Sequence, residues 1–219
     1  MRAEIRNFDL LRQQMVRDQL LSRDIHDARV LEVMGQTPRE KFIAPTHQHE
    51  AYEDRPVPIG AGQTISQPYI VALMTQELGV QPQHRVLDVG AGSGYQTAVL
   101  AKLAREVFGV ERIDELRSQA QQALAELKLT NVNLTTADGT LGWPEYAPFD
   151  RIICGAAGPD VPESWIEQLA DGGRIVMPVG GPDLQMLIAV EKHAGKISRR
   201  EICGVRFVRL IGREGWPQA

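Results

Sequence analysis

The chain is poor in cysteine, has no long apolar run and carries no block of one charge. Two cysteines, Cys154 and Cys203, stand among 219 residues, far apart and without a Cys-x-x-Cys pair. Cys154 lies in an apolar run and reads as a reduced, buried thiol, which points to a reducing compartment. No apolar stretch approaches the ~18 residues of a membrane-spanning helix. The N-terminal MRAEIRNFDLLRQQM holds no apolar signal core. A soluble cytoplasmic protein with no membrane partner is therefore expected. The formal net charge is −4, and no basic block stands out, which argues against broad, phosphate-driven binding of nucleic acid. His47-x-His49 has no third or fourth ligand at useful spacing, so no metal is expected. Internal repeats and low-complexity segments are lacking. A chain of this length buries a full core without disulfides or metal, and a single domain is expected.

What is present is a change of period along the chain. Residues 4 to about 21 place Phe8, Leu11 and Met15 near helical spacing and predict an amphipathic helix. A second helix is predicted over 27–34, stopping at Gly35, and Thr37-Pro38 can start a further short turn. Residues 45–66 read as irregular. Residues 67–78 are helical again, with Gly79 placed to end them. Strands then alternate with helices. Strands are predicted at 85–89, 106–110, 132–136, 149–154 and 174–179, with helices to about 103, over 113–128 and over 162–169. This order argues for an α/β fold, a Rossmann-like doubly wound and mostly parallel sheet with helices on both faces. The tail differs: residues 184–191 and 197–210 flank HAGK and read as an antiparallel pair. The division expected is 1–80 for the N-terminal helices and loop, 81–181 for the α/β core and 182–219 for the closing strands.

The strand RVLDV runs into Gly90-Ala91-Gly92-Ser93-Gly94-Tyr95. A glycine-rich turn between strand and helix lets a ligand approach the backbone closely. In the dinucleotide fingerprint the third glycine would fall where Tyr95 stands. The spacing here is G-x-G-x-G, preceded by Asp88, and it resembles that of S-adenosylmethionine-dependent methyltransferases. An acid beside the loop would repel a pyrophosphate but suits a ligand bearing an ammonium and a sulfonium. Glu111, ending the second strand, can accept both ribose hydroxyls, a contact that NAD would share. Asp138-Gly139 follows the third strand, where an adenine amino group would need an acceptor. Each acid alone reads equally as a loop residue or cap. Together they mark the C-terminal edge of the sheet, where ligands bind in this architecture.

YEDRPVPIG, then GQTISQP, then VLDVGAGSGYQTAVLA resemble the protein-L-isoaspartate O-methyltransferase family. PREKFI, FDRIICGAA, DGGRIVMPVG and VRFV extend the resemblance along most of the chain. GQTISQP is the restrictive motif, because the glycine loop alone fits many methyltransferases. The resemblance implies methyl transfer from S-adenosyl-L-methionine to the free carboxylate of isoaspartyl residues in damaged peptides and proteins, leaving S-adenosyl-L-homocysteine. The ester then loses methanol to give a succinimide, whose hydrolysis returns some normal aspartate. It also implies that Gln63 and Thr64 touch the donor, that Thr64, Ile65 and Ser66 meet the acceptor, and that Val205 to Val208 meet the substrate backbone. The loop would then lie as a lid over both ligands.

A carboxylate is ionised at neutral pH, with a reference pKa near ~4, and needs no general base. The task is to hold it in line and partly dehydrated, which is a matter of proximity and orientation. Short hydroxyls, backbone N–H groups and a helix N-terminus suit that task. Ser66 matches the family's active-site serine and would orient the carboxylate, not attack it. Read without the family, Ser66 before Pro68 is a good helix N-cap. Ile65 and Thr64 would shape the wall of the loop, with Pro56 and Pro58 fixing its path. The chain departs from the family at Arg209, where a Pro is expected, and at Ile211, where a Thr is expected. Any donor contact through that hydroxyl is lost here. The alternatives are a methyltransferase of the same fold acting on RNA or a small molecule, a donor-binding protein without turnover, and an NAD oxidoreductase. Cys154-Gly155-Ala156-Ala157 after the fourth strand lacks the Asn/Asp-Pro-Pro-aromatic pattern of amine methylation. A monomer is expected.

Overall fold

In the computed structural model, which describes residues 7–181 and 183–218, a seven-stranded sheet runs through the chain in the order β5-β4-β3-β6-β7-β8-β9. Its strands are β3 (Arg85–Val89), β4 (Glu106–Glu111), β5 (Val132–Thr136), β6 (Phe149–Cys154), β7 (Leu169–Gly180), β8 (Gln185–His193) and β9 (Lys196–Val205). Pairings from β5 across to β7 are parallel, and β7-β8 and β8-β9 are antiparallel. The chain leaves β3 toward β4 on one side and later returns to pair β6 on the other. That reversal opens a crevice at the carboxyl ends of β3 and its neighbours.

Both faces of the sheet are covered. One core gathers Leu73, Leu78, Tyr95, Leu100, Leu116 and Leu124 from α3 (Pro68–Leu78), α4 (Tyr95–Ala101) and α5 (Asp114–Glu126), together with Met15, Leu20 and Met34 from the N-terminal helices. The other gathers Phe108, Phe149, Trp165 and Ile175 beneath α6 (Glu163–Gln168). Among the described residues no helix is long and apolar enough to cross a membrane.

The first helix is α1 (Phe8–Met15), continued by a π-helical turn, Val16–Leu21. The predicted positions 4–6 lie outside the described residues. Met15 and Leu20 are both buried while Leu21 is exposed, because a π turn brings residues five apart onto one face. The second helix, α2 (Ala28–Gln36), runs through Gly35 instead of stopping there. The Gly35 carbonyl receives Arg12 Nε at 3.0 Å and Gln13 Nε2 at 3.3 Å, so tertiary bonds hold this glycine helical. The helix ends where Thr37 turns extended before Pro38, as a residue preceding proline must.

The stretch expected to be irregular contains a hairpin of β1 (Val57–Gly60) and β2 (Gln63–Ile65). Prolines and polar residues hid its alternation, in which Val57 and Ile59 face inward and Pro58 and Gly60 outward. Gly79 ends α3 at φ 62°, in the left-handed region. β7 begins at Leu169, before the predicted start. The last strand ends at Val205, well short of the predicted 210. There the buried Gln185 takes over from the ladder: Phe207 N donates to its Oε1 at 2.6 Å, and its Nε2 donates to Phe207 O at 3.4 Å. Residues 206–208 thus leave the sheet and cross toward the end of β6, where Ala157 N donates to Val208 O at 2.7 Å.

Candidate active site

Three cavities meet at the carboxyl edge of the sheet. The first, about 240 Å³, is walled by Val89, Gly90 and Gly92, by Val110 and Glu111, by Gly139, and by the tail from Val208 to Ile211; Ile59, Gln63 and Thr64 of the hairpin roof it. The second, about 60 Å³, is a narrow passage between Thr64, Ile65 and Ser66 on one side and Asp88, Gly90 and Gly92 on the other. Among the described residues no cationic side chain lines it. The third, about 830 Å³, is an open groove along Pro56, Ser66, Gln67, Ile70, Val205 and Phe207. Thr64 borders all three cavities, and Ser66 borders the passage and the groove.

The acids are held in different ways. Glu111 is buried at the end of β4, and its two oxygens accept from Gly92 N and Ile113 N, each at 2.9 Å. The strand end and the glycine loop therefore fix the carboxylate, and a lone pair remains on each oxygen for a ligand. Asp88 is only 1% exposed and accepts from the Thr97 hydroxyl at 2.6 Å. Burial pushes its carboxyl up to about 7; the Thr97 bond opposes this, and nearby Glu111 adds to it. Asp138 is not on the cavity wall, although its neighbour Gly139 is. Its Oδ1 caps the turn at Thr140 N, 2.9 Å, and its Oδ2 accepts from Arg213 N at 2.8 Å. Burial works against ionisation, but the bonds from Arg213 and Thr140 hold its carboxyl below the usual range.

The three glycines of the loop divide their work. Gly90 and Gly92 line the cavities, whereas Gly94 does not. Gly94 has φ 85°, and a Cβ there would lie 2.9 Å from Ala120 Cβ, so its smallness lets α4 pack on α5. Ser66 is not the cap of α3. Gln67 holds that position without a side-chain bond, and the Ser66 hydroxyl makes no hydrogen bond among the described residues. It is therefore left available to the passage and the groove. Cys154 is buried: burial drives its thiol well up, and it donates to Ala156 O at 3.1 Å. Among the described residues no group of acids, histidines and cysteines could hold a metal.

Residues that sequence reasoning passed over complete the walls. Ile59 and Gly155 approach the glycine loop, and Phe207 closes the passage. Ile59 sat hidden between Pro58 and Gly60, and Phe207 was marked only as part of VRFV. Arg209 and Ile211, the two departures noted above, both lie on the wall of the first cavity. A cavity with buried Glu111 on its wall, joined to a passage bordered by buried Asp88, fits a nucleoside carrying a cationic tail.

The comparisons with known proteins give the family. The family model described as protein-L-isoaspartate(D-aspartate) O-methyltransferase matches residues 11–215. The chain belongs to this family. A protein-L-isoaspartate O-methyltransferase 2 of Marinobacter nauticus is 54% identical over 94% of this chain and 95% of its own. A relative from Geobacter metallireducens is 49% identical over 96% of this chain and 98% of its own. Among solved structures, a family member from Plasmodium falciparum in complex with S-adenosyl-L-homocysteine superposes with a TM-score of 0.81, at 29% identity, over 91% of this chain and 98% of that one. Family membership and the three joined cavities thus rest on independent observations.

Proposed function

We propose that this protein transfers a methyl group from S-adenosyl-L-methionine to the free carboxylate of L-isoaspartyl residues in damaged peptides and proteins, and so starts repair through a succinimide. The observation that carries the reading is that Thr64 and Ser66 stand where an open, peptide-sized groove narrows onto the glycine loop. S-adenosyl-L-methionine, when bound, supplies a methyl carbon activated by its sulfonium.

The chain's own residues then have distinct tasks. Glu111 accepts the ribose hydroxyls, and Asp88 faces the cationic tail along Gly90 and Gly92. Gly94 supports the loop from behind. Gln63 and Thr64 cover the donor. Gly139 passes the adenine edge, and Asp138, set behind the wall, braces that turn through its bonds from Thr140 and Arg213. The Ser66 hydroxyl, free of internal bonds, donates to one acceptor oxygen and points the other at the donor cavity. Ile65 and Thr64 narrow the passage and strip water from the carboxylate. Lacking a cation in the passage, the site avoids holding the ground state more tightly than a transition state in which the charge is being neutralised. Val205 begins the segment that meets the substrate backbone, and backbone recognition tolerates many flanking sequences. The whole chain acts as one methyltransferase domain, with 1–80 supplying the N-terminal helices and the loop over both ligands, 81–181 the donor-binding core and 182–219 the closing antiparallel strands. We place it in the cytoplasm as a monomer that does not act on nucleic acid.

Methyl transfer from S-adenosyl-L-methionine to matched short peptides, one with isoaspartate and one with aspartate at the same site, tests the reading. Transfer to the isoaspartyl peptide alone is expected. Donor binding without transfer to either peptide would overturn the acceptor assignment and favour an RNA or small-molecule acceptor on the same fold.

A further inference from the structure

Arg39 is fully buried, and none of the described acids lies within ion-pair distance of it; Asp54 acts on it only from farther away. A buried cation without a paired carboxylate is costly to a fold, and an apolar side chain of similar size would serve packing better. What a guanidinium adds is a planar fork with several donors in fixed directions. Here the fork spans two segments far apart in sequence. Nε donates to Ala51 O at 2.7 Å, and Nη2 donates to Ser66 O at 2.7 Å. The guanidinium also lies over the ring of Tyr95, 4.9 Å from its centroid, and Tyr95 is the first residue of α4, directly after the glycine loop. The Arg39 backbone is itself tied down, since its N–H donates to the Tyr52 hydroxyl at 3.2 Å. Nη1 has no partner, so the group is not arranged for its own satisfaction.

The Ser66 hydroxyl has no internal bond to aim it, so its direction follows from its backbone. The bond from Arg39 to the Ser66 carbonyl fixes that backbone and also the peptide that enters α3. We infer that Arg39 is a positioning residue, which acts through the Ser66 carbonyl to aim the Ser66 hydroxyl into the passage and ties the acceptor loop to the donor loop through Tyr95. The inference rests on the reading of Ser66 as the group that orients the acceptor.

The test is a double-mutant cycle with Arg39→Lys, Arg39→Gln and Ser66→Ala, alone and combined. It reads kcat and KM for an isoaspartyl peptide, Kd for S-adenosyl-L-homocysteine, and Tm. Lysine keeps the charge but cannot hold both carbonyls in one plane. Each Arg39 variant is expected to lower kcat roughly tenfold or more, since displacements of about 1 Å at a reacting group can cost ~100-fold. Product affinity should change by less than about threefold, separating a positioning effect from a donor-binding one. In the Ser66→Ala background the Arg39 substitutions should slow kcat little further. Additive losses where Ser66→Ala alone is slow would overturn the Arg39 assignment and leave the Ser66 reading intact. Full turnover by Ser66→Ala would overturn the Ser66 reading, and this one with it. Unchanged kcat in a folded Arg39→Lys, or failure of both Arg39 variants to fold, would replace positioning with no role or a structural one.

Discussion

The donor side of the site is built from the ends of neighbouring parallel strands, and the acceptor side from segments that share no secondary structure. Asp88 is next to last in β3 and Glu111 is last in β4, strands that pair directly, so sheet hydrogen bonds hold the two acids at one edge. Glu111 needs only the adjacent amides of Gly92 and Ile113 to fix its rotamer. Ser66, by contrast, lies between a three-residue strand and α3. Its surroundings come from the 3₁₀ turn of Arg39, the hairpin β1-β2 and the tail after β9. Those pieces are joined by side chains that grip backbone: Arg39 on Ala51 and Ser66, and Gln185 on Phe207. A regular sheet places donor groups through local backbone geometry. An irregular acceptor site needs individual braces, each of which can fail alone.

Changes on the two sides should therefore separate in different measurements. The largest effect is expected from Glu111→Ala, which removes the ribose acceptor and strands two amides. Product affinity measured by calorimetry should fall on the order of 100-fold, with a loss of about 2–3 kcal/mol in unfolding free energy. Ser66→Ala comes next. Its kcat on an isoaspartyl peptide should fall roughly 10- to 100-fold while product affinity holds, and a loss of product affinity instead would blur the division between the sides.

A pH series sharpens the comparison. Burial holds the Asp88 carboxyl up to about 7, so below that pH the ligand-free protein keeps it neutral. A cationic tail must then expel a proton to bind. Product affinity should rise with pH by at most about tenfold per unit up to about 7 and flatten above it, a dependence that Asp88→Asn should remove. The smallest effect is expected from Gln185→Leu, which frees the Phe207 peptide from its brace. Peptide KM should rise by about three- to tenfold with donor binding unchanged, at a cost of about 1–2 kcal/mol in denaturant unfolding.

The donor side was legible because strand ends and glycine spacing are local. Asp88, Glu111 and the G-x-G-x-G turn follow from pattern alone, and the parallel order follows from alternating elements. Asp138 was located but not its posture, since the backbone amide of Arg213, far along the chain, takes one of its oxygens. The hairpin at Val57–Ile65 was missed because its inward positions are few and its turn is glycine-rich. Gly35 misled for a related reason: its helical state depends on side chains from α1. The cap reading of Ser66 from local sequence gave way because Gln67 takes the cap position of α3, which leaves Ser66 on the walls of the passage and the groove.

By itself the sequence determined the α/β class, the donor-binding edge and, through GQTISQP and its companions, the family. These rest on periodicity, turn chemistry and contiguous motifs, all carried by residues close together in the chain. Only the tertiary structure decided how the acceptor loop is held, where the tail leaves the sheet, and which of the three glycines touches ligand space. Those outcomes depend on single hydrogen bonds and close contacts between distant segments, whose energies are set by geometry that no local pattern encodes.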